Sequence, residues 1–461
     1  MGSAYHPTQL SGWGLTAPSN AFLGHVRPDE IASAINSPSE RGVIMRGLGR
    51  SYGDPAQNSG GRVLTLDTPL SEVRVDEVAG TVWAGAGVSL HDLLLLLVPL
   101  GFFVPVTPGT RFVSVGGAVA SDIHGKNHHL EGSFGNHVEE IELLIADGSV
   151  RIVSPVQDPE IFWATVGGMG LTGVILNVRF RLLRIESSQC VVSTRRCEDI
   201  DSLMAIMAES DDDYRYSVAW TDLLATGRHL GRSVLWRGDH AKIDELSPAS
   251  RGNPLLYEPR HLISIPPVVP SPGFVNPLTS RLFSEFWFRR APKRRDGEIK
   301  SIAAFFHPLD SIGRWNQLYG RAGFVQYQFV VPFSQGETLK RVVERFAQAK
   351  VASPLVVLKR FGAANQGYLS FPMPGWTLTV DIPAGIAELA SLLHEIDEMV
   401  LSAGGRHYLA KDAHMTAETL RRGYPRLGEW QSIQKQIDPQ GRWQSDQARR
   451  LSLIERTVHH E

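Results

Sequence analysis

The 461-residue sequence has few cysteines and almost no net charge, which argues against several classes of protein. It contains two cysteines, Cys190 and Cys197, separated by six residues, so neither a disulfide framework nor a cysteine zinc site is expected. A formal net charge of −2 gives no overall attraction to nucleic acid. With 43% hydrophobic and 20% charged residues, the composition is that of a soluble globular protein.

Long apolar runs are also missing. The most apolar stretch, residues 93–106, is interrupted by Pro99 and Pro105 and is too short to span a bilayer. The N-terminal sequence has no basic region followed by an apolar run, so we predict no secretory signal. These features predict a chain without a transmembrane helix and, from the sequence alone, a cytoplasmic location.

The pattern of predicted elements indicates an α+β protein, and the chain is too long for one hydrophobic core. Up to residue 185 we predict strands at 43–45, 63–66, 81–84, 138–146, 149–153 and 173–183, and helices at 89–98 and 158–166. Strands this often adjacent in sequence argue against regular βαβ winding. Residues 188–404 have longer strands, two long helices at 337–349 and 386–403, and a proline-rich connector at 265–273.

Two glycine-rich segments, residues 46–54 and 108–117, each lie at the end of a predicted strand. Such turns present several backbone N–H groups with little side-chain bulk, which suits an anion such as a pyrophosphate. Either segment alone is more typical of a tight turn. The pair, followed by the polar segment SDIHGKNHH at 121–129, predicts a dinucleotide held between two small sheets.

Two further motifs do not carry the chemistry that they suggest. Gly168, Gly170 and Gly173 have the G-x-G-x-x-G spacing, but a predicted helix precedes them and a strand follows, the reverse of the order in a Rossmann site. The three histidines within residues 121–129 suggest zinc, but no acidic or cysteine partner stands at ligand spacing. We therefore predict neither a Rossmann site nor a metal site.

Longer motifs resemble a known family. RGLGRSYGD (46–54), PGTRFVSVGGAVASDIHGKNHH (108–129) and FWATVGGMGLTG (162–173) resemble the FAD-binding domain of the vanillyl-alcohol-oxidase flavoprotein superfamily. Within that superfamily, HGKNHH, LKRFG (358–362) and YLAKDAHMTAET (408–419) resemble the oxidase subunits of decaprenylphosphoryl-β-D-ribose 2'-epimerases. The resemblance covers nearly the whole chain.

The resemblance implies a two-domain fold. Residues 1–187 with 405–461 would form the FAD-binding domain, and residues 188–404 a substrate-binding domain built on an antiparallel sheet. It implies FAD-dependent oxidation of the ribose 2'-hydroxyl of decaprenylphosphoryl ribose to a 2'-keto product, the first half of an epimerisation that supplies arabinose to cell-wall arabinan. It also implies a separate NADH-dependent reductase as partner and peripheral contact with the cell envelope, on its periplasmic face by family.

The same resemblance implies roles for single residues. Lys411 would be the base that touches the flavin edge and the substrate hydroxyl, with His124 as the alternative base and Tyr52 as a further catalytic residue. Without the resemblance, Lys411 is more typical of a surface lysine paired with Asp412, and His124 of a histidine that hydrogen-bonds the backbone or the flavin. The expected substrate-binding residues are Lys126, Gln326, Gln328, Lys359, Thr379, Trp220 and Asn316. The expected FAD contacts are Arg46, Gly47, Leu48, Gly49, Arg50, Ser51, Tyr52, Gly53, Gly109, Thr110, Ser114, Val115, Gly116, Gly117, Ser121, Asp122, Ile123, His124, Asn127, Ile175 and Tyr408.

One departure from the superfamily concerns how FAD is held. Several relatives carry a histidine in R-G-x-G-H-S that bonds covalently to FAD, whereas this chain has Arg50 there, so we expect non-covalent FAD.

A second feature concerns contact with the lipid. Residues 281–300 combine seven lysines and arginines with a cluster of aromatic side chains, which suits an anionic membrane surface. The alternative is a solvated basic loop whose aromatic side chains lie in the domain core.

Two other functions stay open on the residues. One is a FAD-dependent sugar-alcohol or aldonolactone oxidase that acts on a soluble substrate, which would share the glycine loops. The other is a flavin-binding protein without catalysis, whose flavin no substrate would reduce.

Overall fold

The structure, a computed structural model, describes residues 5–36, 39–266, 269 and 273–454. The proline-rich connector predicted at 265–273 lies mainly outside these residues. The strands up to residue 187 are β1 (His6–Leu10), β2 (Ser19–Val26), β3 (Val43–Met45), β4 (Arg62–Leu66), β5 (Arg74–Asp76), β6 (Thr81–Gly85), β7 (Phe102–Phe103), β8 (Val138–Leu144), β9 (Val150–Val153), β10 (Val174–Arg181) and β11 (Leu183–Arg184). The helices are α1 (Ile31–Asn36), α2 (Leu90–Leu97), α3 (Val115–Ala120), α4 (His128–Glu131) and α5 (Pro159–Thr165).

These strands form two larger sheets and a small pair. The first sheet has the order β1-β2-β4-β3, with β1 antiparallel and the other three strands parallel. The second has the order β5-β6-β10-β8-β9 and is antiparallel throughout. The predicted strands and helices of this part are confirmed within a few residues. Ser89 begins α2 as predicted, because its Oγ accepts a hydrogen bond from the Asp92 N–H at 3.0 Å.

The rest of the chain supplies a larger sheet and more helices. Its strands are β12 (Gln189–Cys197), β13 (Tyr216–Thr221), β14 (Ser233–His240), β15 (Ile263–Ser264), β16 (Arg294–Ser301), β17 (Ile312–Gly313), β18 (Phe324–Val331), β19 (Val356–Phe361), β20 (Gly375–Pro383) and β21 (Arg406–His407). Its helices are α6 (Ile200–Ser210), α7 (Pro248–Arg251), α8 (Pro277–Arg290), α9 (Ile302–Phe306), α10 (Gly336–Gln348), α11 (Leu389–Ser402), α12 (Ala417–Gly423), α13 (Leu427–Ile437) and α14 (Asp446–Arg450). Eight strands pair antiparallel in the order β16-β12-β14-β13-β19-β20-β18-β21.

The two faces of the eight-stranded sheet differ in chemistry. Along β18, Val325, Tyr327 and Phe329 pack into a core that also contains the buried side chains of α6, α10 and α11. Gln326 and Gln328 alternate with them and therefore lie on the opposite face. One face of the sheet is thus a hydrophobic core, and the other is free to line a polar site.

The last helices pack against the N-terminal sheets. The indole N–H of Trp430 on α13 donates to the carbonyl of Ala164 on α5 at 2.9 Å. Val43 at the start of β3 forms a parallel bridge with Trp443, whose side chain is fully buried. The architecture is α+β as predicted, while the domain boundaries stay predictions. Among the residues that the structure describes, no helix is long and apolar enough to cross a membrane.

Candidate active site

A cavity of about 1350 Å³ is lined by both parts of the chain. The glycine-rich segments 46–53 and 107–117 contribute to its wall from the N-terminal side. The polar face of the eight-stranded sheet and residues 408, 410 and 411 contribute from the other. The segments that were predicted to bind a dinucleotide therefore line the same cavity as the residues that were predicted to bind the substrate.

The two glycine-rich segments are packed closely enough to form one cradle. A Cβ at Gly47 would overlap the Ser114 hydroxyl, so only glycine lets the first segment approach the second. The Ser114 Oγ in turn accepts from the Gly117 N–H at 3.3 Å. A Cβ at Gly109 would meet nothing within 4 Å, so the backbone there borders open space in the cavity. Such a wall admits an anionic group close to the main chain.

Lys411 reaches the cavity because its segment is fixed on both sides. The Tyr52 N–H donates to the Ala410 carbonyl at 3.0 Å, and a Cβ at Gly53 would overlap the Asp412 carbonyl oxygen. The Asp412 carboxylate pairs with Arg450 at 2.8 Å. The interpretation of Lys411 as a surface lysine paired with Asp412 is therefore wrong. The Lys411 amine lies 3.9 Å from the centre of the Tyr52 ring, a cation–π distance.

Polar side chains from neighbouring strands meet on the cavity face of the sheet. Gln326 on β18 stands opposite Asp381 on β20, and its amide donates to the Asp381 carboxylate at 2.5 Å. Gln328 stands opposite Thr379 in the same pair of strands. The amide of Gln328 donates to the Nε2 atom of His124 at 2.9 Å. Because side chains in register share a face, the strand pairing brings the two glutamines together with Thr379 and Asp381.

The Gln328 contact decides the state of His124. Because Nε2 accepts the amide hydrogen, the remaining hydrogen is on Nδ1, which is buried and has no hydrogen-bond partner among the described residues. Burial lowers the pKa of His124 well below its usual value, and the charges of Lys359, His128 and Lys411 lower it further. A neutral imidazole whose acceptor nitrogen is already occupied is a poor proton acceptor, so Lys411 is better placed than His124 to act as the base.

Three lysines in the cavity wall have lowered pKa values. Burial lowers the pKa of Lys126 to about 7 and that of Lys359 to about 8. Burial also lowers the pKa of Lys411 to about 7, an effect opposed by the charge of Asp381 and reinforced by Lys359. The Lys126 amine donates to the Phe305 carbonyl and lies 4.3 Å from the Phe305 ring centre. An amine with a pKa near neutrality is able to accept a proton during a reaction.

Most of the expected site residues line the cavity, and four do not. The exceptions are Val115, Asp122, Asn127 and Asn316. Val115 is buried in the hydrophobic core. The Asp122 carboxylate turns away to accept hydrogen bonds, among them one from the Ser370 hydroxyl. Asn127 donates to the Pro105 carbonyl at 2.8 Å and Asn316 to the Trp13 carbonyl at 3.0 Å, so both amides are used within the protein.

Sequence reasoning also missed residues of this site. Asp381 was not predicted, although the alternation in WTLTVDIP puts it on the same strand face as Thr379. The aromatic part of the wall was predicted at Tyr52, Trp220 and Tyr408. It also contains residues that were not predicted for the site, among them Trp236, Phe283 and Trp287. No sequence signal separates these aromatic residues from core residues, because their position depends on how α8 lies beside the sheet.

Comparison with known proteins defines the class of the protein. The profile of the FAD binding domain family matches residues 26–154, and that of D-arabinono-1,4-lactone oxidase matches residues 321–451. Together with the fold, these matches define a FAD-dependent oxidoreductase with the two-domain α+β fold of the vanillyl-alcohol-oxidase type. FAD is its cofactor.

Full-length relatives define the family. Decaprenylphosphoryl-beta-D-ribose oxidase of Mycolicibacterium smegmatis is 43% identical over 98% of this chain and 100% of its own length. A Streptomyces coelicolor protein described as an uncharacterized protein in the mprA 5' region is 39% identical over 79% of this chain and 100% of its own length. An alditol oxidase of Streptomyces is 30% identical over only 32% of this chain and 35% of its own. The chain belongs to the decaprenylphosphoryl-β-D-ribose oxidase family.

The residues of the cavity fit FAD. The paired glycine segments border the cavity with little side-chain bulk, which suits the pyrophosphate. The Nδ1 hydrogen of His124 is a buried donor without a partner among the described residues, so a bound ring with an acceptor atom would satisfy it. The guanidinium of Arg50, at the position of the linking histidine, lies 4.1 Å from the centre of the Trp13 ring.

Proposed function

We propose that this chain oxidises the 2'-hydroxyl of decaprenylphosphoryl-β-D-ribose to a 2'-ketone. The observation that supports this most is that one cavity is lined by the FAD-binding glycine segments, by the partly buried amine of Lys411 and by an aromatic wall that includes Trp220, Phe283 and Trp287. The full-length likeness to a decaprenylphosphoryl-beta-D-ribose oxidase supports the same substrate.

Lys411 is the base of this proposal. FAD, when bound, accepts the hydride from the sugar carbon. The hydroxyl proton would go to the Lys411 amine, whose pKa burial lowers to about 7. Gln326 and Gln328 hold the sugar from the sheet, and Lys126 and Lys359 face the negative phosphate. These assignments follow from the side chains that share the cavity wall.

The proposed substrate also needs a place for its apolar tail, and α8 supplies an apolar surface beside the cavity. Phe283 and Trp287 line the cavity, whereas Leu278, Leu282 and Phe286 face outward with exposed fractions of 68%, 64% and 56%. We propose that this helix, with the basic residues that follow it, contacts an anionic membrane surface. The alternative in which the aromatic residues of this segment lie in the core fits Phe288 alone.

The product of this oxidation needs a second enzyme. Hydride addition converts the 2'-ketone back to an alcohol. To invert the configuration at the 2'-carbon, the new hydride must add to the face opposite the one from which the first hydride left. We propose that a separate NADH-dependent 2'-keto reductase is the partner that carries out this step at the cell envelope.

The test is anaerobic addition of decaprenylphosphoryl ribose to the purified yellow protein. We expect the flavin absorbance to bleach in one phase and a 2'-keto lipid to appear by mass spectrometry. The matched comparison is decaprenylphosphoryl arabinose, whose 2'-hydroxyl has the opposite configuration. A flavin that stays oxidised with the ribose lipid would contradict the proposal.

A second candidate is an oxidase of soluble sugar alcohols or aldonolactones. The D-arabinono-1,4-lactone oxidase profile over residues 321–451 favours it. The same anaerobic assay with an alditol and an aldonolactone separates the two functions. Bleaching by either of these at a rate above that of the ribose lipid would support the second candidate.

A further inference from the structure

Asp381 is a buried carboxyl group directly behind the cavity wall. It has no exposed surface and does not line the cavity. Its two oxygens accept from the Gln326 amide at 2.5 Å and from the Tyr319 hydroxyl at 3.4 Å. A buried carboxylate without a charged contact of its own is costly unless a nearby positive charge compensates it. We therefore expect a positive charge near Asp381 that compensates its carboxylate.

A continuous set of contacts leads from Asp381 to Lys411. Tyr319, the other donor to Asp381, packs with Tyr52 and Phe324 in one buried cluster. The face of the Tyr52 ring holds the Lys411 amine at 3.9 Å from its centre. Because an amide has one donor end and one acceptor end, the carboxylate fixes which end of Gln326 faces the cavity. The orientation of Gln326 and the position of Tyr52 thus depend on Asp381.

The charges around Lys411 are otherwise unfavourable to an ammonium ion. Lys359 acts on Lys411 as a second positive charge, and His124 is neutral. Asp310 also lines the cavity, but its carboxylate is held by Arg111, whose backbone N–H donates to it at 2.8 Å. The charge of Asp381 acts on Tyr52, Tyr319 and Lys411. Lys411 interacts in addition with Lys359 and His124. Asp381 is the carboxyl group of this set.

We infer that Asp381 is a positioning residue for the oxidation, which orients Gln326 and Tyr52 and supplies the negative charge that lets Lys411 hold the proton of the substrate hydroxyl. The inference rests on the proposed function of Lys411 as the base. FAD, when bound, would supply the acceptor for the hydride from the carbon that bears the hydroxyl. The hydroxyl proton would pass to Lys411, where it creates an ammonium ion inside a largely apolar cavity. Asp381 stabilises that ion without touching the substrate.

The two pKa values support this pairing. Burial raises the pKa of Asp381 to about 7, and the charge of Lys411 opposes the rise. Burial lowers the pKa of Lys411 to about 7, and the charge of Asp381 opposes the fall. Loss of the carboxylate therefore removes the interaction that raises the pKa of Lys411, so the lysine of such a variant loses its proton at a lower pH.

The test compares Asp381→Asn with the parent in the FAD-loaded protein. Competitive acetylation of amines, followed by mass spectrometry of the peptide that contains Lys411, gives the pH at which half of this lysine is unprotonated. We expect that midpoint to fall by about one pH unit or more, because an opposite charge at close range shifts a pKa by that order. The acid limb of substrate-driven flavin reduction should move to lower pH by the same amount.

Asp438→Asn is the matched control. Asp438 is also a buried carboxyl that accepts from a glutamine amide, that of Gln434 at 3.3 Å, and neither residue lines the cavity. It should leave the Lys411 midpoint unchanged. Should Asp381→Asn not fold, Tyr319→Phe removes one hydrogen bond to the carboxylate and should move the midpoint in the same direction by less.

The outcomes separate this inference from the proposed function. An unchanged Lys411 midpoint in Asp381→Asn overturns the inference, whatever the substrate is. A shifted midpoint in a protein whose parent is not reduced by the ribose lipid overturns the proposed substrate and leaves the link between Asp381 and Lys411 in place. A fall in melting temperature without a change in the midpoint would give Asp381 a structural role only.

Discussion

At the scale of single residues, hydrogen bonds and ion pairs occupy several groups that could otherwise accept a proton. Gln328 occupies the acceptor nitrogen of His124, and Arg450 occupies the carboxylate of Asp412. Because of these contacts, neither His124 nor Asp412 is well placed to accept the proton of the substrate. What remains is a partly buried amine, that of Lys411, against the face of the Tyr52 ring.

We therefore expect Lys411→Ala to fold and bind FAD but to lose substrate-driven flavin reduction. A missing general base costs about 10²–10⁴-fold in rate. Stopped-flow measurement of flavin bleaching with decaprenylphosphoryl ribose gives the rate. Lys340→Ala, which removes an exposed lysine paired with Asp201 on the far side of the sheet, is the control and should react like the parent. A near-parent rate for Lys411→Ala would exclude this lysine from the mechanism.

At the scale of elements, the closest approach in the site is between the glycine-rich segment before residue 54 and the segment that carries Lys411. We expect Gly53→Ala to prevent their docking, because the added methyl group would overlap the Asp412 carbonyl oxygen. Overpacking of this kind costs about 1–3 kcal/mol. The melting temperature and the molar ratio of FAD to protein should both fall.

Gly428→Ala is the control for that change. Gly428 lies in α13, and a Cβ there would meet nothing within 4 Å. Because alanine favours a helix over glycine by about 1 kcal/mol, this variant should be as stable as the parent or more so. Equal melting temperatures and FAD content for Gly53→Ala and the parent would show that the two segments are not held together as described.

The helix α8 gives a second prediction at this scale. Joint replacement of Arg289, Arg290, Lys293, Arg294 and Arg295 by glutamine should weaken binding to anionic vesicles, and the binding of the parent should fall with added salt. Each basic residue near such a surface contributes about 1 kcal/mol. Co-sedimentation with phosphatidylglycerol vesicles measures it. If the substituted protein sediments with the vesicles as well as the parent at low salt, this segment is not the contact.

Alternation along strands is the part of this site that the sequence predicts well. The residues of β18 alternate between apolar and glutamine side chains, and this period of two is enough to assign Gln326 and Gln328 to one face. The register of β18 against β20, which pairs Gln326 with Asp381, is not encoded locally. Asp122 shows the opposite error. Its backbone has a φ of 39°, and its carboxylate accepts hydrogen bonds from Ser133, Ser370 and the Gly135 N–H, none of which the adjacent motif indicates.

At the scale of the whole molecule, FAD would contact segments that are distant in sequence, so its binding should stabilise the folded chain as a unit. We expect the melting temperature to rise with added FAD. We also expect acid or heat denaturation to release the flavin, since Arg50 cannot form the bond of a linking histidine. Flavin that remains with the denatured polypeptide on gel filtration would contradict this expectation.

The bridge between Val43 and Trp443 joins residues four hundred positions apart. A chain growing on the ribosome therefore cannot cover the β3 edge of its first sheet until almost all of these residues have been made. Arg450, which forms ion pairs with both Asp54 and Asp412, is synthesised later still. Until then two acidic groups beside the Lys411 segment lack their partner. We therefore expect that a nascent chain stalled before residue 443 will neither retain FAD nor oxidise a sugar.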